Sequence, residues 1–209
     1  MDDDRLFFLR CRLDKEVIVR RRLLLLSPVF RDMLIVGDAP SDIPDGRPSK
    51  RRRIEPTQDN TIPLDDDFGP LNFLFKLLDG SLGLLKDYNR HHIMGVKSLA
   101  DKYELPLVTR LLGERLWQEV AEGTYYPIWA YAIAMRMQRR ALARYALRCM
   151  PKNTRRPHKW SLSTAQIVGV DAWHCVINAA NGCETFSWEK VSECLEFPPS
   201  WTVDTPGDA

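Results

Sequence analysis

The chain has 209 residues, of which 44% are hydrophobic, so it can bury the core of one domain and still carry an appendage. No apolar run approaches the roughly 20 residues that span a bilayer, and the acidic start at Asp2–Asp4 is unlike a secretory signal peptide. The 30 Lys and Arg residues nearly balance the 28 Asp and Glu residues, so the net charge of +2 does not by itself indicate a nucleic-acid partner.

The first predicted element is a two-stranded hairpin. A period of two, typical of a half-buried strand, is set by Phe7, Leu9, Cys11 and Leu13. Asp14–Glu16 is predicted to turn the chain, and Val17–Val19 to return it as the second strand.

Two short helices are predicted to meet at a corner within residues 23–33. Leu23–Leu26 forms the apolar end of the first helix. The Ser27 side chain can accept hydrogen bonds from the free amides of the next turn. Pro28 suits a first helical position, because the donor that it lacks has no helical partner there. Val29–Met33 then begins the second helix.

A proline-rich insert is predicted over residues 37–60. It contains four prolines and almost no large apolar residue, so we expect it to be disordered. Within it, a short nuclear-import pattern is matched by Lys50, Arg51, Arg52 and Arg53. The other interpretation is a solvated charge run that keeps a loop in solution. The chain is therefore expected to be intracellular, in the nucleus or otherwise in the cytoplasm.

A third strand and a helix are predicted after the insert. The strand is Thr61–Leu64. Asp65–Asp67 offers a helix cap, and Pro70 is predicted at the first helical position. The buried face of this helix is expected to contain Leu71, Leu74, Phe75 and Leu78, and Gly80 is expected to end it.

Two further helices are predicted from apolar spacing. The first presents Ile93, Val96, Leu99 or Ala100, and Tyr103 on one face. The second presents Val108, Leu112, Leu116 and Val120, and Gly123 ends it. Leu99, Tyr103 and Leu112 are predicted to lie in the core.

The order and wording of these segments resemble the BTB/POZ domain. The corner at Leu23–Met33 is similar to the family's L-x-x-x-S-P-V-F-R-x-M signature. The segment from Leu64 to Gly80 is similar to L-P-x-D-x-x-x-x-F-x-x-L-L-x-F-x-Y-T-G, and Leu99–Pro106 is very close to L-A-D-K-Y-x-L-P. The long insert and the tryptophan-rich C-terminal region are similar to the BTB proteins abundant in fungi.

The resemblance implies an α+β fold, with a small β-sheet and stacked helices over residues 1–123. It also implies a module that binds proteins and catalyses nothing, as a dimer with itself or another BTB protein, or as an adaptor. The family's interaction surface maps onto Phe7, Phe8, Leu9, Leu23, Leu24, Leu26, Phe30 and Met33. Docking to a cullin ubiquitin ligase requires a hydrophobic-x-Glu element where this chain has the polar insert, so the resemblance gives that partner little support.

A helical extension is predicted over residues 124–197, followed by a flexible tail over 198–209. Apolar faces are formed by Trp129, Ile133 and Met137, and then by Leu142, Tyr145, Ala146 and Cys149. Ser163–Gln166 fits a capping box, which predicts a helix with Val170, Trp173, Ile177 and Ala180 on one side and Gly182 at its end. Trp188–Leu195 predicts one more short helix.

A basic stripe is predicted at Arg136, Arg140, Arg144 and Arg148, which are spaced four residues apart. The stripe would repel itself unless an acidic group faces it. An intramolecular partner is available at Glu184, Glu189, Glu193 and Glu196. The alternatives are a solvated face, an acidic protein partner, or nucleic-acid phosphates.

No catalytic, cofactor-binding or metal-binding residue is predicted. The chain has no G-x-G-x-x-G, G-x-x-x-x-G-K-[ST], H-E-x-x-H or G-x-S-x-G motif. Its five cysteines are odd in number and widely spaced, without the close pairs of a zinc site. The main functional hypothesis is a protein-interaction module. The alternative is a nuclear nucleic-acid-associated protein that uses the basic insert and the arginine stripe.

Overall fold

A three-stranded mixed sheet begins the fold of this computed structural model, which describes residues 4–37, 60–198 and 201. Strand β1 (Leu6–Arg10) pairs antiparallel with β2 (Glu16–Arg20), and β3 (Thr61–Pro63) lies parallel to β1 on its other side. Alternation places Phe7, Leu9, Val17 and Val19 in the core. The predicted hairpin and third strand are therefore present.

The predicted alternation ends before Leu13. A 3-10 turn over Arg12–Asp14 connects β1 to β2, and Leu13 has a left-handed φ of 61° with 90% of its surface exposed. The expectation that Leu13 continues the buried face was wrong. The strand stops at Arg10 because the chain must reverse within five residues to pair Arg10 with Glu16.

In the described residues up to 121, five α-helices follow the hairpin. They are α1 (Arg21–Leu24), α2 (Pro28–Gly37), α3 (Phe68–Asp79), α4 (Arg90–Lys102) and α5 (Pro106–Ala121). Proline begins α2 and α5, where its missing amide costs no helical hydrogen bond. Helix α3 begins at Phe68 rather than at Pro70, so Pro70 is its third residue. The amide that Pro70 lacks still costs no helical hydrogen bond, because the first four amides of a helix have no intrahelical acceptor. Gly80 ends α3 with φ 72°, as the sequence predicts.

The predicted insert lies almost entirely outside the described residues. Its ends are described: Gly37 is the last residue of α2, and the Asn60 carbonyl accepts a hydrogen bond from the Phe8 amide at 3.0 Å. Those two positions are therefore part of the fold, because a helix and the sheet include them. Lys50, Arg51, Arg52 and Arg53 lie outside the described part of the chain, so nuclear import stays a prediction.

Five more helices form the C-terminal part: α6 (Pro127–Arg136), α7 (Arg140–Arg148), α8 (Leu162–Val168), α9 (Val170–Asn181) and α10 (Trp188–Glu193). The cap of α8 is Ser161, whose hydroxyl accepts from the Thr164 amide, rather than the predicted Ser163. The buried face of α9 is also different from the prediction. It contains Ala172, Val176 and Ala179, whereas Val170 is exposed, because small side chains allow close packing against α8 and α10.

The chain divides into two compact units. The first comprises the described residues of Met1–Leu82 together with Ser98–Val108, and the second those of Gly83–Lys97 together with Thr109–Ala209. The α+β class is confirmed by ten helices and one small mixed sheet in the described residues. The predicted boundary at residue 123 follows a family resemblance rather than compactness, and it stays a prediction. No described helix has both the length and the apolarity needed to cross a membrane.

Candidate functional site

Three separate sequence segments meet around Tyr103 in the first unit. The Tyr103 ring is fully buried and stacks on Phe30, with ring centroids 4.4 Å apart and planes 18° apart. Its hydroxyl donates to Asp66, and Asp66 also accepts from the Lys102 ammonium group at 2.7 Å. We call Ser27, Phe30, Asp66, Lys102 and Tyr103 the Tyr103 cluster. Each member lies in one of the three segments that carry the resemblance.

Ser27 joins the helix corner to this cluster. Its hydroxyl oxygen accepts from the Phe30 amide at 3.1 Å, which is the predicted cap of α2. The same hydroxyl donates to the Tyr103 carbonyl oxygen at 2.6 Å. Ser27 is fully buried, so both bonds are protected from water and the corner has one defined geometry.

The electrostatics of the Tyr103 cluster favour the neutral phenol. Burial of Tyr103, followed by its hydrogen bond to Asp66 and the charge of that carboxylate, raises the pKa of Tyr103 well above its ordinary value. Tyr103 therefore stays a hydrogen-bond donor throughout the physiological pH range. The neutral phenol thus links Tyr103 to Asp66 inside the first unit.

The outer face of the hairpin presents apolar side chains to solvent. Directly opposed residues on this face are Leu6 and Arg20, Phe8 and Ile18, and Arg10 and Glu16. Leu6 is 47% exposed and Ile18 is 61% exposed, while Phe8 is half-buried. The Arg10 guanidinium pairs with Glu16 at 3.1 Å at one end. We call Leu6, Phe8 and Ile18 the hairpin outer face.

The structure divides the predicted dimer residues into two groups. Five are in the core of the first unit: Phe7, Leu9, Leu23, Leu24 and Phe30. Of the others, Leu26 is 45% exposed, and Phe8 and Met33 are half-buried. A partner can reach the second group without unfolding, but not the first. Sequence reasoning missed Ile18, although its position between the buried Val17 and Val19 indicates an outward side chain.

The predicted arginine stripe is interrupted. Arg136 is the last residue of α6, whereas Arg140, Arg144 and Arg148 lie on α7. Gln138, with φ 59°, separates the two helices. The expectation of one continuous stripe was therefore wrong, because a left-handed residue cannot continue a right-handed helix.

Backbone carbonyls of the C-terminal segment, rather than carboxylates, lie against Arg140 and Arg144. Arg144 donates to the Leu195 carbonyl at 3.2 Å. Arg140 donates to the Trp201 carbonyl at 2.5 Å and to the Pro198 carbonyl at 3.4 Å. Within the described residues, these arginines form no ion pair with the predicted partners Glu184, Glu189, Glu193 and Glu196. The predicted flexible tail is also bound to α7 at Pro198 and Trp201.

A buried carboxylate in the second unit was not predicted. Glu119 is fully buried near the end of α5 and accepts from the Leu85 amide at 3.0 Å through each carboxylate oxygen. Arg115, one turn earlier, donates to Glu119 at 2.8 Å and to the Gly83 carbonyl at 3.3 Å. Glu119 thus holds residues 83–85 against α5. Its spacing of three from the apolar Leu116 was the available signal, since it places the carboxylate beside the buried face.

Tyr125 gives a prediction about stability. Its hydroxyl is buried and has no hydrogen-bond partner in the described structure, and burial raises the pKa of Tyr125 to about 12. Because an unsatisfied buried hydroxyl is unfavourable, Tyr125→Phe is expected to leave the free energy of unfolding unchanged or to raise it by up to about 1 kcal/mol. Urea denaturation followed by tryptophan fluorescence measures this.

Tyr131→Phe is the matched control, because the Tyr131 hydroxyl donates to the Ala172 carbonyl at 2.7 Å. This variant is expected to lose about 1 kcal/mol. The raised pKa of Tyr125 also predicts that the free energy of unfolding does not depend on the ionisation of this group below pH 10, the ordinary tyrosine value. It is expected to fall as the pH rises from 10 to about 12, because the unfolded chain loses the phenol proton first. A loss of stability in Tyr125→Phe as large as that in Tyr131→Phe would contradict the prediction.

The cysteines are free thiols. Burial is the main cause that raises the pKa of Cys11 and of Cys175, so neither is an activated nucleophile. No group of three or more His, Cys, Asp and Glu side chains that could hold a metal ion is found in the residues described.

Comparison of the chain with protein-family models, with curated proteins and with solved structures found no match. The function proposed below therefore rests on the geometry of this chain and on the resemblance in its sequence.

Proposed function

We propose that the chain is a non-enzymatic protein-interaction module of the BTB/POZ type, which forms dimers with itself or a similar protein and presents a further partner as an adaptor. The observation that carries this proposal is the hairpin outer face. Alternation along β1 and β2 already supplies a complete inward set, so the outward Leu6, Phe8 and Ile18 have no role in the core of their own unit.

The composition of this face suits a protein partner. Its centre is the apolar pair Phe8 and Ile18, and charged residues flank it at Arg20 and at the pair formed by Arg10 and Glu16. An apolar centre with a polar rim is the usual arrangement of a protein interface. Clusters of exposed apolar side chains on a sheet commonly mark such contacts.

The Tyr103 cluster supports the same proposal from inside the unit. It joins the S-P-V-F corner to Tyr103 of the L-A-D-K-Y string through direct contacts, and Asp66 joins the third segment to Lys102 and Tyr103 of that string. Residues from the three distant segments that resemble the family signature therefore form one cluster of contacts. That is the expected result if the signature specifies a fold, and it supports the BTB/POZ assignment.

Sedimentation equilibrium at micromolar concentration tests self-association. The wild-type chain is expected to sediment at twice its monomer mass of 24.2 kDa, and Ile18→Glu to sediment as a monomer. The glutamate would place an unpaired charge in the centre of the interface, while Ile18 is exposed enough for the fold to tolerate it.

Val170→Glu is the matched control, because Val170 is also an exposed apolar residue, on α9 in the second unit. This variant is expected to remain a dimer. A monomeric wild-type chain would contradict self-association. Dissociation of both variants would show that the hairpin outer face is not the site.

A further inference from the structure

The C-terminal segment is bound to one side of α7 through its main chain. Arg144 and Arg140 donate to carbonyl oxygens at Leu195, Pro198 and Trp201, at separations between 2.5 and 3.4 Å. Main-chain carbonyls occur at every residue of any peptide, so these contacts do not require the sequence of this particular segment. We call the surface formed by Arg140 and Arg144 the tail-binding face.

An aromatic side chain gives the contact its specificity. The Phe197 ring centroid lies 5.6 Å from the guanidinium carbon of Arg140 and 5.3 Å from that of Arg144. Phe197 also packs on Trp201, with ring centroids 5.2 Å apart. Each guanidinium group is close enough to the ring for a favourable cation–π interaction. A peptide without an aromatic residue at this position would lose that contribution.

The charge of the tail-binding face is not matched by its occupant. In the described structure, both guanidinium groups face neutral carbonyls and a neutral ring, and the buried Arg140 Nε has no hydrogen-bond partner. Pairs of arginine with a carboxylate are frequently bidentate, with two parallel hydrogen bonds between opposite charges, a geometry that a single neutral carbonyl does not offer. The chain's own segment has Glu196 before the ring and the neutral Pro198 after it. A peptide that keeps the ring and carries a carboxylate at the position of Pro198 would therefore place a charged acceptor near these guanidinium groups and bind this face more tightly than the chain's own segment does.

We propose that the tail-binding face is a docking site for an extended peptide segment of a partner protein, in which an aromatic residue is followed by an acidic one. The chain's own segment occupies the site through Leu195, Phe197, Pro198 and Trp201 until such a peptide displaces it. Because that segment is covalently attached, its effective concentration at the site is high, on the order of millimolar. A partner peptide is therefore expected to bind weakly while the chain's own segment occupies the site, and more tightly once that segment is released. This inference is independent of dimerisation through the hairpin outer face.

Fluorescence anisotropy with two labelled peptides tests the proposal. One peptide has the sequence of residues 195–201, Leu-Glu-Phe-Pro-Pro-Ser-Trp, and the other carries Pro198→Asp. The full chain with Phe197→Ala, which releases its own segment, is expected to bind both peptides at least ten-fold more tightly than the wild-type chain does. The Pro198→Asp peptide is expected to bind several-fold more tightly than the unsubstituted one, with an affinity that falls as salt rises.

Three controls define the site. Adding Arg144→Gln to the Phe197→Ala chain is expected to reduce binding at least ten-fold, and a peptide with Phe197→Ala is expected not to bind. Tyr126→Ala removes an exposed aromatic residue of the same unit away from the tail-binding face, and it is expected to behave as wild type. Equal binding by the wild-type and Phe197→Ala chains, or no preference for the acidic peptide, would overturn the proposal.

Hydrogen exchange on the wild-type chain decides the question without any substitution in the protein. An excess of the Pro198→Asp peptide is expected to speed exchange of the Trp201 amide, which donates to the Pro198 carbonyl at 3.0 Å in the bound segment, because the segment leaves α7. Unchanged exchange under saturating peptide would overturn the proposal, even if the Phe197→Ala chain failed to fold.

Discussion

Replacement of Tyr103 by alanine is expected to lower the free energy of unfolding of the first unit by about 3–5 kcal/mol, the range found when large aromatic side chains are removed from cores. Tyr103 has no exposed surface, and its ring stacks on Phe30. The substitution also leaves Asp66 without its phenol donor and opens a cavity beside the Phe30 ring. Far-UV circular dichroism in urea measures the loss.

Two further variants separate the contributions of Tyr103. Tyr103→Phe keeps the ring stack and removes only the hydroxyl donated to Asp66, so a loss of about 1–3 kcal/mol is expected. Tyr126→Ala removes an exposed tyrosine and is expected to change stability by less than about 0.5 kcal/mol. All six tryptophans lie in the second unit, so their fluorescence reports whether that unit unfolds in the same transition. A loss below about 0.5 kcal/mol for Tyr103→Ala would show that the cluster does not stabilise the fold.

Replacement of Glu119 by alanine is the second large effect, with an expected loss of about 3 kcal/mol. The Leu85 amide loses the two oxygens of the Glu119 carboxylate as acceptors, and Arg115 loses its ion pair with that buried carboxylate. Glu119→Gln retains one acceptor oxygen and is expected to lose about half as much. Tryptophan fluorescence in urea follows the unfolding of the second unit.

The same helix supplies a control with the same spacing. Arg110 and Glu114 form an ion pair at 3.7 Å on the surface of α5, each about 60% exposed, in the same order and four residues apart as Arg115 and Glu119. Because exposed pairs contribute little, Glu114→Ala is expected to change stability by less than about 0.5 kcal/mol. Equal losses for Glu114→Ala and Glu119→Ala would mean that helix spacing, rather than burial, sets the contribution of Glu119.

Local signals in the sequence were sufficient for most secondary structure. Alternation in residues 7–11 predicted β1, the Ser27–Pro28 pair predicted the corner, and the αL glycine at Gly80 predicted the end of α3. These signals work because strand periodicity, helix caps and left-handed glycines depend on interactions within a few residues. The errors at Leu13 and at the α9 face arose where a turn or a neighbouring helix overrode the local pattern.

The interaction surfaces were less predictable. The family resemblance placed eight residues in the candidate interface, although five of them are core residues and the most exposed apolar residue of the hairpin strands, Ile18, was not among them. Sequence reasoning also offered glutamates as one candidate partner of the arginine stripe, where the fold provides carbonyls and the Phe197 ring. Charge counts identify which groups need partners, but they do not identify which groups lie within reach.

The sequence by itself determined the order of strands and helices and the residues that form most of the core, because these depend on local periodicity and capping. The α+β class was implied by the resemblance of its segments to a known family. Only the tertiary structure decided which distant groups meet. Ser27 and Tyr103 are 76 residues apart, and Arg144 and Leu195 are 51 apart. Hydrogen bonds and ring contacts act over only a few ångströms, so these pairings depend on how whole helices and strands pack. No local sequence pattern indicates which distant residues are brought together.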